Sequence, residues 1–223
     1  MSYALDLREN FEKVVFTVNN IYTRYMSEPL KSKTFKPAAF FDRDGVICEF
    51  VDELAKLEEF KFRPGIVEAI RRLNKANYWV FVATNQPNIA KEKMTWAELE
   101  EIHQYMCEEL LKLGARIDHV YFCPHRDIGT LKEFSFDCEC RKPKPGMLEQ
   151  AAKDFPILKE RSFMVGDTWR DVECAKNFGI KSVAVTGGGG YPYLPNSSES
   201  KSKPDHLCEN PLAAIEWWLA QER

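Results

Sequence analysis

The sequence lacks the long apolar run that a membrane-spanning helix requires. No uninterrupted apolar segment approaches ~18 residues. The first ten residues, MSYALDLREN, contain no basic patch followed by an apolar stretch, which is the pattern of a secretory signal. We therefore expect a soluble, cytoplasmic protein without a membrane partner.

Excess positive charge is also missing. The 31 Lys and Arg residues are outnumbered by 34 Asp and Glu residues, which gives a net charge of −3 and a pI near 5.9. Such a chain has no general attraction for polyanions, and no basic, aromatic-laced groove is visible in the sequence. These absences argue against nucleic acid as a partner.

A complete disulfide framework is excluded by the cysteine count, since seven is an odd number. Clustered cysteines in a cytoplasmic chain more often bind metal. No internal repeat is visible either. With 223 residues and 44% hydrophobic content, the chain is long enough for one large domain with small additions.

Short apolar segments alternate with helical patterns along most of the chain. The strand-like segments are AAFFD, WVFVATN, IDHVYF, SFMVGD and KSVAVTG. The helical ones are PGIVEAIRRLNK, Trp96–Leu113, residues near 145–154 and residues from about 169 to 178. Thr95 and Glu98 form a capping box, and Gly179 stands where a C-terminal cap belongs. The alternation predicts an α/β fold with a doubly wound, Rossmann-like parallel sheet.

The two ends of the chain differ from this pattern. Residues 1–36 predict an additional N-terminal helix followed by a linker, and residues 37–223 form the predicted main domain. Residues 186–204 are rich in Gly, Ser and Pro, which predicts a mobile loop. The segment NPLAAIEWWLAQ then predicts a last helix, with Asn210 as its cap and Pro211 in its first turn.

Polar side chains follow the predicted strands at their carboxyl ends, where a parallel sheet of this type binds its ligand. They are Asp42, Asp44, Thr84, Asn85 and Asp167. A single aspartate there could simply cap a turn. Two of them at positions i and i+2 of an extended chain point the same way, so a cation or a proton must separate their charges.

The segment VGDTWRDVECA adds carboxylates at another strand end. Asp167 and Asp171 lie one helical turn apart. Hard oxygen ligands of this kind favour magnesium. Asp171 also has an alternative interpretation, as an acid at a helix N-terminus that the helix dipole stabilises.

A second metal site is predicted between residues 123 and 140. Cys123, His125, Cys138 and Cys140 give a Cys-x-His pair, a twelve-residue loop and a Cys-x-Cys pair. Four such ligands can close a tetrahedral zinc site, and a closed site has no open position for substrate, so we expect structural zinc. Arg141 follows directly, so zinc would hold the segment that carries the next cations.

Four segments together resemble the signature segments of the haloacid dehalogenase (HAD) superfamily, in order. They are FFDRDGVI, VFVATNQ, RKPKP and MVGDTWRD, and they span about residues 38–186. The resemblance implies a magnesium-dependent phosphatase in which Asp42 attacks phosphorus and forms an aspartyl-phosphate. Asp44 then protonates the leaving oxygen and later activates water. A dehalogenase has no alkoxide to protonate, so Asp44 favours phosphatase activity.

The same resemblance implies roles for further residues. Thr84 and the adjacent backbone would hold the phosphoryl oxygens, Asn85 would belong to the same substrate-binding group, and Lys142 would neutralise and orient the nucleophile. Magnesium would be bound by Asp42, the Asp44 carbonyl and Asp167.

The zinc loop and the run CRKPKPGM are similar to one capless branch of the superfamily, whose members remove the 7-phosphate from D-glycero-D-manno-heptose 1,7-bisphosphate. This resemblance implies a small phosphorylated sugar as substrate and implies that Arg141 contacts a substrate phosphate. The segment TNQPNIAKE departs from the branch, since Asn88, Lys91 and Glu92 replace the usual residues.

Other functions stay open at this stage. Histidinol-phosphate phosphatases are close relatives of the branch, and a polynucleotide 3'-phosphatase is disfavoured by the acidic balance. A zinc-stabilised, non-enzymatic phospho-acceptor module is the third alternative, against which Asp44 argues because it would discharge the intermediate. We expect a monomer, and we expect His103 and Cys48 to be structural rather than catalytic.

Overall fold

The computed structural model of the protein describes residues 34–186 and 202–221. The predicted N-terminal helix lies outside the described residues, as does most of the predicted mobile loop at 186–204. None of the helices in the described ranges has both the length and the apolar character that crossing a bilayer requires.

Six parallel strands form one sheet in the order β3-β2-β1-β4-β5-β6. Their bounds are β1 (Ala38–Phe41), β2 (Trp79–Asn85), β3 (His119–Cys123), β4 (Phe163–Gly166), β5 (Lys181–Val185) and β6 (His206–Cys208). The predicted doubly wound parallel sheet with five strands is confirmed. The sixth strand was not predicted, because three residues are too few to establish a period-2 pattern.

Helices follow the strands as the pattern predicts. They are α1 (Ile66–Lys75), α2 (Trp96–Lys112), α3 (Gly146–Asp154), α4 (Trp169–Phe178) and α5 (Pro211–Gln221). The predicted caps are confirmed. Thr95 Oγ1 accepts from the Glu98 N–H at 3.2 Å, and Gly179 ends α4 with φ +87°. Asn210 Oδ1 accepts from the Ala213 N–H at 2.9 Å at the start of α5.

The apolar core lies in two layers, one on each face of the sheet. Along β1 the side chains alternate, since Ala39 and Phe41 join the layer under α1, α2 and α5, while Ala38 and Phe40 join the layer under α3 and α4. The central strands β1, β2 and β4 are buried on both faces, which is why their sequences read as continuous apolar runs.

The strand order places β1 between β2 and β4, the point at which the chain changes direction across the sheet. Phe41 is in register with Val82 of β2 and Val165 of β4. The Asp42 N–H then donates to the Val165 carbonyl at 3.0 Å, so Asp42 is the first residue beyond the ladder. Side chains that follow β1, β2 and β4 therefore converge at one edge of the sheet.

Candidate active site

The turn after β1 carries the first carboxylates. The Arg43 carbonyl accepts from the N–H groups of Val46, Ile47 and Cys48, so the chain leaves the extended conformation immediately after Asp42. Gly45 lies in this turn with φ +79°, and a Cβ there would overlap the Asp167 carboxylate. Glycine therefore allows both the turn and the close approach of the acid from β4.

Lys142 joins two buried carboxylates. Its Nζ lies 2.9 Å from Asp42 Oδ2 and 2.6 Å from Asp171 Oδ1, and the residue is 2% exposed. Burial alone would lower the pKa of Lys142, but Asp171 and Asp42 outweigh it and raise that pKa. The lysine is therefore a fixed positive charge beside the Asp42 carboxylate.

Excess negative charge remains in this pocket. Burial, together with Asp171 and Asp44, raises the pKa of Asp42 to about 6, although Lys142 opposes the shift. Burial, together with Asp42 and Asp171, raises the pKa of Asp167 to about 8. Carboxyls that resist ionisation in this way indicate a site that needs a further cation.

Three carboxylates can supply that site with ligands. Asp42, Asp167 and Asp171 offer oxygens that all lie within 4.8 Å of one another. Hard oxygens at this density fit magnesium. Asp171 is also engaged elsewhere, because its Oδ1 accepts from Lys142 and its Oδ2 accepts from the Thr168 N–H at 3.0 Å and the Thr168 hydroxyl at 2.7 Å. Both interpretations of Asp171, helix-terminal acid and member of the carboxylate cluster, are thus visible in the geometry.

Asp44 has a different set of partners from Asp42. Arg43 Nε donates to Asp44 Oδ1 at 3.0 Å and Arg43 Nη2 donates to Asp44 Oδ2 at 2.9 Å. Gln86 Nε2 donates to the same Oδ2 at 2.8 Å. The expected like-charge pair is therefore resolved by two separate cations of the chain, Lys142 for Asp42 and Arg43 for Asp44, because the turn replaces the extended conformation that the sequence argument assumed.

The end of β2 supplies polar groups of two kinds. Thr84 is 1% exposed, and its hydroxyl accepts from Gln86 Nε2 at 2.9 Å. Asn85 makes two bonds to the backbone of Lys142, since its Nδ2 donates to the Lys142 carbonyl at 3.0 Å and its Oδ1 accepts from the Lys142 N–H at 3.0 Å. Asn85 therefore holds the lysine segment against the sheet, a role that its place in the sequence did not indicate.

A cavity of about 350 Å³ opens above these groups. Its lining includes the charged groups just described, Asp42, Asp44, Asp167 and Lys142, and four arginines, Arg43, Arg126, Arg141 and Arg170. Arg141 is anchored because its Nη1 donates to the His125 carbonyl at 2.9 Å. Burial lowers the pKa of Arg141, and the nearby Arg170 and Arg126 lower it further, as expected where cations gather around space for an anion.

The four predicted zinc ligands lie together. Cys123 Sγ is 3.5 Å from Cys138 Sγ, which is 3.3 Å from Cys140 Sγ, and His125 Nδ1 is 3.2 Å from Cys140 Sγ. Zinc–sulfur bonds of about 2.3 Å at tetrahedral angles need sulfurs roughly 3.7 Å apart, so the cluster fits zinc. Hydrogen bonds from Cys140 and His125 lower the pKa of the Cys123 thiol to about 4, whereas the pKa values of the Cys138 and Cys140 thiols are raised, so one thiolate forms readily and a metal must displace the protons of the other two.

Sequence reasoning missed four residues that the structure brings to the site: Arg43, Gln86, Arg126 and Arg170. Gln86 directly follows β2, so the argument from strand ends that identified Thr84 and Asn85 could have included it. The arginines gave no such signal, since an arginine side chain is most often solvated.

Comparison with known proteins agrees with this geometry. The profile of the family described as HAD-hydrolase-like matches residues 139–214. The D-glycero-beta-D-manno-heptose-1,7-bisphosphate 7-phosphatase of Rhodopseudomonas palustris is 45% identical over 152 residues, which cover 68% of this chain and 84% of that protein. The D-glycero-D-manno-heptose-1,7-bisphosphate 7-phosphatase of Thermosynechococcus vestitus is 36% identical over 186 residues, which cover 82% of this chain and 95% of that protein.

A solved structure is similar over nearly the same range. The D,D-heptose 1,7-bisphosphate phosphatase from B. bronchiseptica, complexed with magnesium and phosphate, has a TM-score of 0.72 and 31% sequence identity. The match covers 84% of this chain and 99% of that one.

Proposed function

Since the chain belongs to the family of HAD-like hydrolases and is a phosphatase of that family, we propose that it removes the 7-phosphate from D-glycero-D-manno-heptose 1,7-bisphosphate. The observation that carries the substrate is the distribution of charge around one cavity. The buried Asp42–Lys142 pair lines this cavity, and so do Arg126, Arg141 and Arg170, in addition to the Arg43 that pairs with Asp44. This arrangement of positive charge suits a molecule with two phosphates.

The first step forms a bond between an Asp42 oxygen and phosphorus and breaks the ester bond. Lys142 keeps the Asp42 carboxylate ionised and aligned, despite the burial that raises its pKa. A proton from Asp44 passes to the leaving sugar oxygen, which departs as an alcohol. The product is an aspartyl-phosphate on Asp42, which splits one difficult displacement into two easier ones.

The second step hydrolyses this intermediate. Asp44, now a carboxylate, takes a proton from water as the water oxygen attacks phosphorus, and the bond to Asp42 breaks. Inorganic phosphate leaves and both aspartates return to their starting states. The Thr84 hydroxyl and the backbone beside it, together with Lys142, would hold the phosphoryl oxygens through both steps.

HAD phosphatases use magnesium, and the residues that would hold it here are Asp42, the Asp44 carbonyl and Asp167, with Asp171 as a possible further ligand. When bound, the metal supplies positive charge that stabilises the negative charge developing on the phosphoryl oxygens. We assign Asp171 chiefly to Lys142 and to the Thr168 cap, because protein donors occupy both of its oxygens.

The second phosphate of the substrate would lie against the arginines. Arg141 donates to the His125 carbonyl and directly follows Cys140 of the Cys/His cluster. Both its backbone and its guanidinium are therefore held in place. Guanidinium groups bind phosphate through paired N–H donors. Arg126 and Arg170, which line the same cavity, would add charge to this region.

The positive charge of Arg126, Arg141 and Arg170 also favours the heptose bisphosphate over the alternative substrates. Histidinol phosphate carries an ammonium where the heptose carries its second phosphate, and the arginines would repel that ammonium. The net charge of −3 gives the chain no general attraction for the long polyanion of a polynucleotide. The bisphosphate is therefore favoured over both.

The test is a panel of phosphate esters with phosphate release as the readout. It contains the heptose 1,7-bisphosphate in both anomeric forms, the heptose 7-phosphate, histidinol phosphate and a 3'-phosphorylated oligonucleotide. We expect kcat/KM for a bisphosphate anomer to exceed that for the monophosphate by at least about tenfold, as charge-assisted contacts of about 1.5 kcal/mol or more imply. Preference for histidinol phosphate, or none for a second phosphate, would contradict the assignment.

A further inference from the structure

The Asp44 carboxylate is surrounded by donors from its own chain. Arg43 forms a fork to both oxygens, Gln86 Nε2 donates to Oδ2, and the Cys48 thiol donates weakly to Oδ1 at 3.5 Å. A carboxylate accepts about four hydrogen bonds, so its direction is set by the protein rather than by solvent. The group that exchanges protons in both steps of the proposed reaction is therefore held, in its carboxylate form, in one orientation.

Gln86 is the member of this set that also contacts Thr84, the residue that the proposed function assigns to the phosphoryl group. Its Nε2 donates to Asp44 Oδ2 at 2.8 Å and to Thr84 Oγ1 at 2.9 Å. Its Oε1 accepts from Arg43 Nη2 at 2.9 Å. All the hydrogen-bonding groups of the amide except one lone pair are used, and the residue is 2% exposed.

The chemistry of these contacts explains why an amide is needed at residue 86. Arg43 requires an acceptor, whereas Asp44 and Thr84 require donors from the same side chain. A glutamate would offer acceptors alone, and an apolar side chain would offer neither. A glutamine supplies two donors and an acceptor at fixed separation.

Arg43 is itself held in place by a residue of α2. Its Nη1 lies 3.2 Å from His103 Nε2 on α2, and both side chains are buried. Burial, together with Arg43, lowers the pKa of His103 well below its usual value, so the ring is neutral and Nε2 accepts from the guanidinium. Arg43, the main donor to Asp44, is therefore held in place by the buried His103 of α2.

We propose that Gln86 is a positioning residue of the phosphatase reaction, whose amide holds Asp44 at a fixed place relative to Thr84. The inference rests on the proposed function, because it concerns the proton that Asp44 gives to the leaving oxygen. With Gln86 in place, the phosphoryl group held at Thr84 presents its ester oxygen to Asp44. Without it, Asp44 keeps the Arg43 fork but loses its link to the phosphate-binding side.

The test compares two substrates of similar shape that differ in their need for a proton. Nitrophenolate leaves p-nitrophenyl phosphate without protonation, whereas the phenolate of phenyl phosphate is a much stronger base, with a conjugate acid of pKa near that of tyrosine, about 10. Single-turnover release of each phenol, with enzyme in excess and magnesium present, reports the first chemical step alone.

In Gln86→Met, which keeps the length of the side chain but removes its donors, we expect the ratio of the nitrophenyl to the phenyl rate to rise about tenfold. This is part of the 10²- to 10⁴-fold that a positioned acid contributes. In separate steady-state assays, KM for each substrate should stay within about twofold of the wild-type value. The matched control is Gln150→Met on the exposed face of α3, which should leave the ratio unchanged. An equal loss on both substrates, or no loss, would overturn the proposal.

A double substitution separates positioning from general damage. If Gln86 acts through Asp44, adding Gln86→Met to Asp44→Asn should not change the rate ratio further. A further change would show that Gln86 acts by another route and would overturn the inference. Should Gln86→Met fail to fold, Gln86→Leu also removes the donors without adding a charge beside Asp44, and the same rise in the ratio is expected. A wild-type protein that releases neither phenol would overturn the proposed function and this inference with it.

Discussion

Lys142 Nζ lies 2.9 Å from Asp42 Oδ2 in a site where the lysine is 2% exposed. The two residues are a hundred positions apart in the sequence, and the Asn85 side chain holds the backbone of the lysine in place. The buried lysine has a second carboxylate partner in Asp171. The nucleophile can therefore be altered without leaving the lysine charge unpaired.

Asp42→Asn should lower kcat at least about a thousandfold, because an amide is a poor nucleophile. Folding should remain intact, since Lys142 keeps its bond to Asp171. Phosphate release from p-nitrophenyl phosphate with magnesium measures the first effect, and thermal unfolding measures the second. Activity close to that of the wild type would remove the covalent mechanism.

Asp44→Asn should separate the two steps of the reaction. With p-nitrophenyl phosphate the first step needs no acid, whereas hydrolysis of the aspartyl-phosphate still needs the base. We expect a burst of about one nitrophenolate per chain followed by slow turnover, and a phosphorylated protein detectable by intact mass. Steady release without a burst, and without phosphorylated protein, would argue against a base role for Asp44.

The stability of the magnesium-free protein should fall as the pH rises. The folded-state pKa values of Asp42 and Asp167 are raised to about 6 and about 8 from an ordinary value of 3.8. The stability that these groups contribute is fully present below pH 3.8 and is lost as the pH rises through 6 and then 8.

We therefore expect the thermal midpoint without magnesium to decrease between pH 5 and pH 8, and magnesium chloride to raise it more at pH 8 than at pH 5, because the metal competes with protons for the carboxylates. Asp167→Asn should weaken both effects. A midpoint that increases over this range in the magnesium-free protein would contradict the prediction.

Cys138→Ser should lower zinc content from about one per chain and should lower the thermal midpoint. The hydroxyl is a weak zinc ligand, and loss of the metal removes the energy that folds the 123–140 loop. Elemental analysis and thermal unfolding measure the two effects. The matched control is Cys208→Ser, since Cys208 lies outside the cluster. Purified wild-type protein without zinc would contradict the site.

Arg141→Ala should erase most of the preference for bisphosphate over monophosphate. Each charge-assisted contact contributes about 1.5 to 3 kcal/mol, which corresponds to roughly ten- to a hundredfold in kcat/KM. Arg170→Ala should cause a smaller loss, because its guanidinium lies over the Trp169 ring, with Cζ 5.5 Å from the ring centroid, whereas Arg141 is hydrogen-bonded to the His125 backbone beside the Cys/His cluster. Lys144→Ala is the control, since this lysine pairs with the exposed Asp137 and Glu139. Equal losses on both substrates would show that Arg141 does not bind the second phosphate.

Local pattern was sufficient to predict much of the fold. The period of the apolar residues identified five strands and the described helices, and the caps at Thr95, Gly179 and Asn210 were predicted correctly. These features depend on residues within a few positions of one another, so the sequence contains their full cause. The strand β6 has three residues, and its pairing with β5 supplies what its own sequence cannot.

The gathering of ligands was also predictable in part. Parallel strands end at one edge, so carboxylates that follow them must converge, and close Cys and His pairs in a short loop can close on one metal. The sequence therefore determined the sheet, the acidic edge and the zinc cluster.

The partners of each group were decided only by the tertiary structure. Gln86 lies 42 residues from Asp44, and Asp171 lies 29 residues from Lys142, yet each pair is joined by a hydrogen bond. Such contacts depend on how strands and loops pack, which no local period encodes. The turn at Gly45 likewise gave Asp42 and Asp44 separate cations, because backbone direction, rather than spacing along the chain, sets which charges meet.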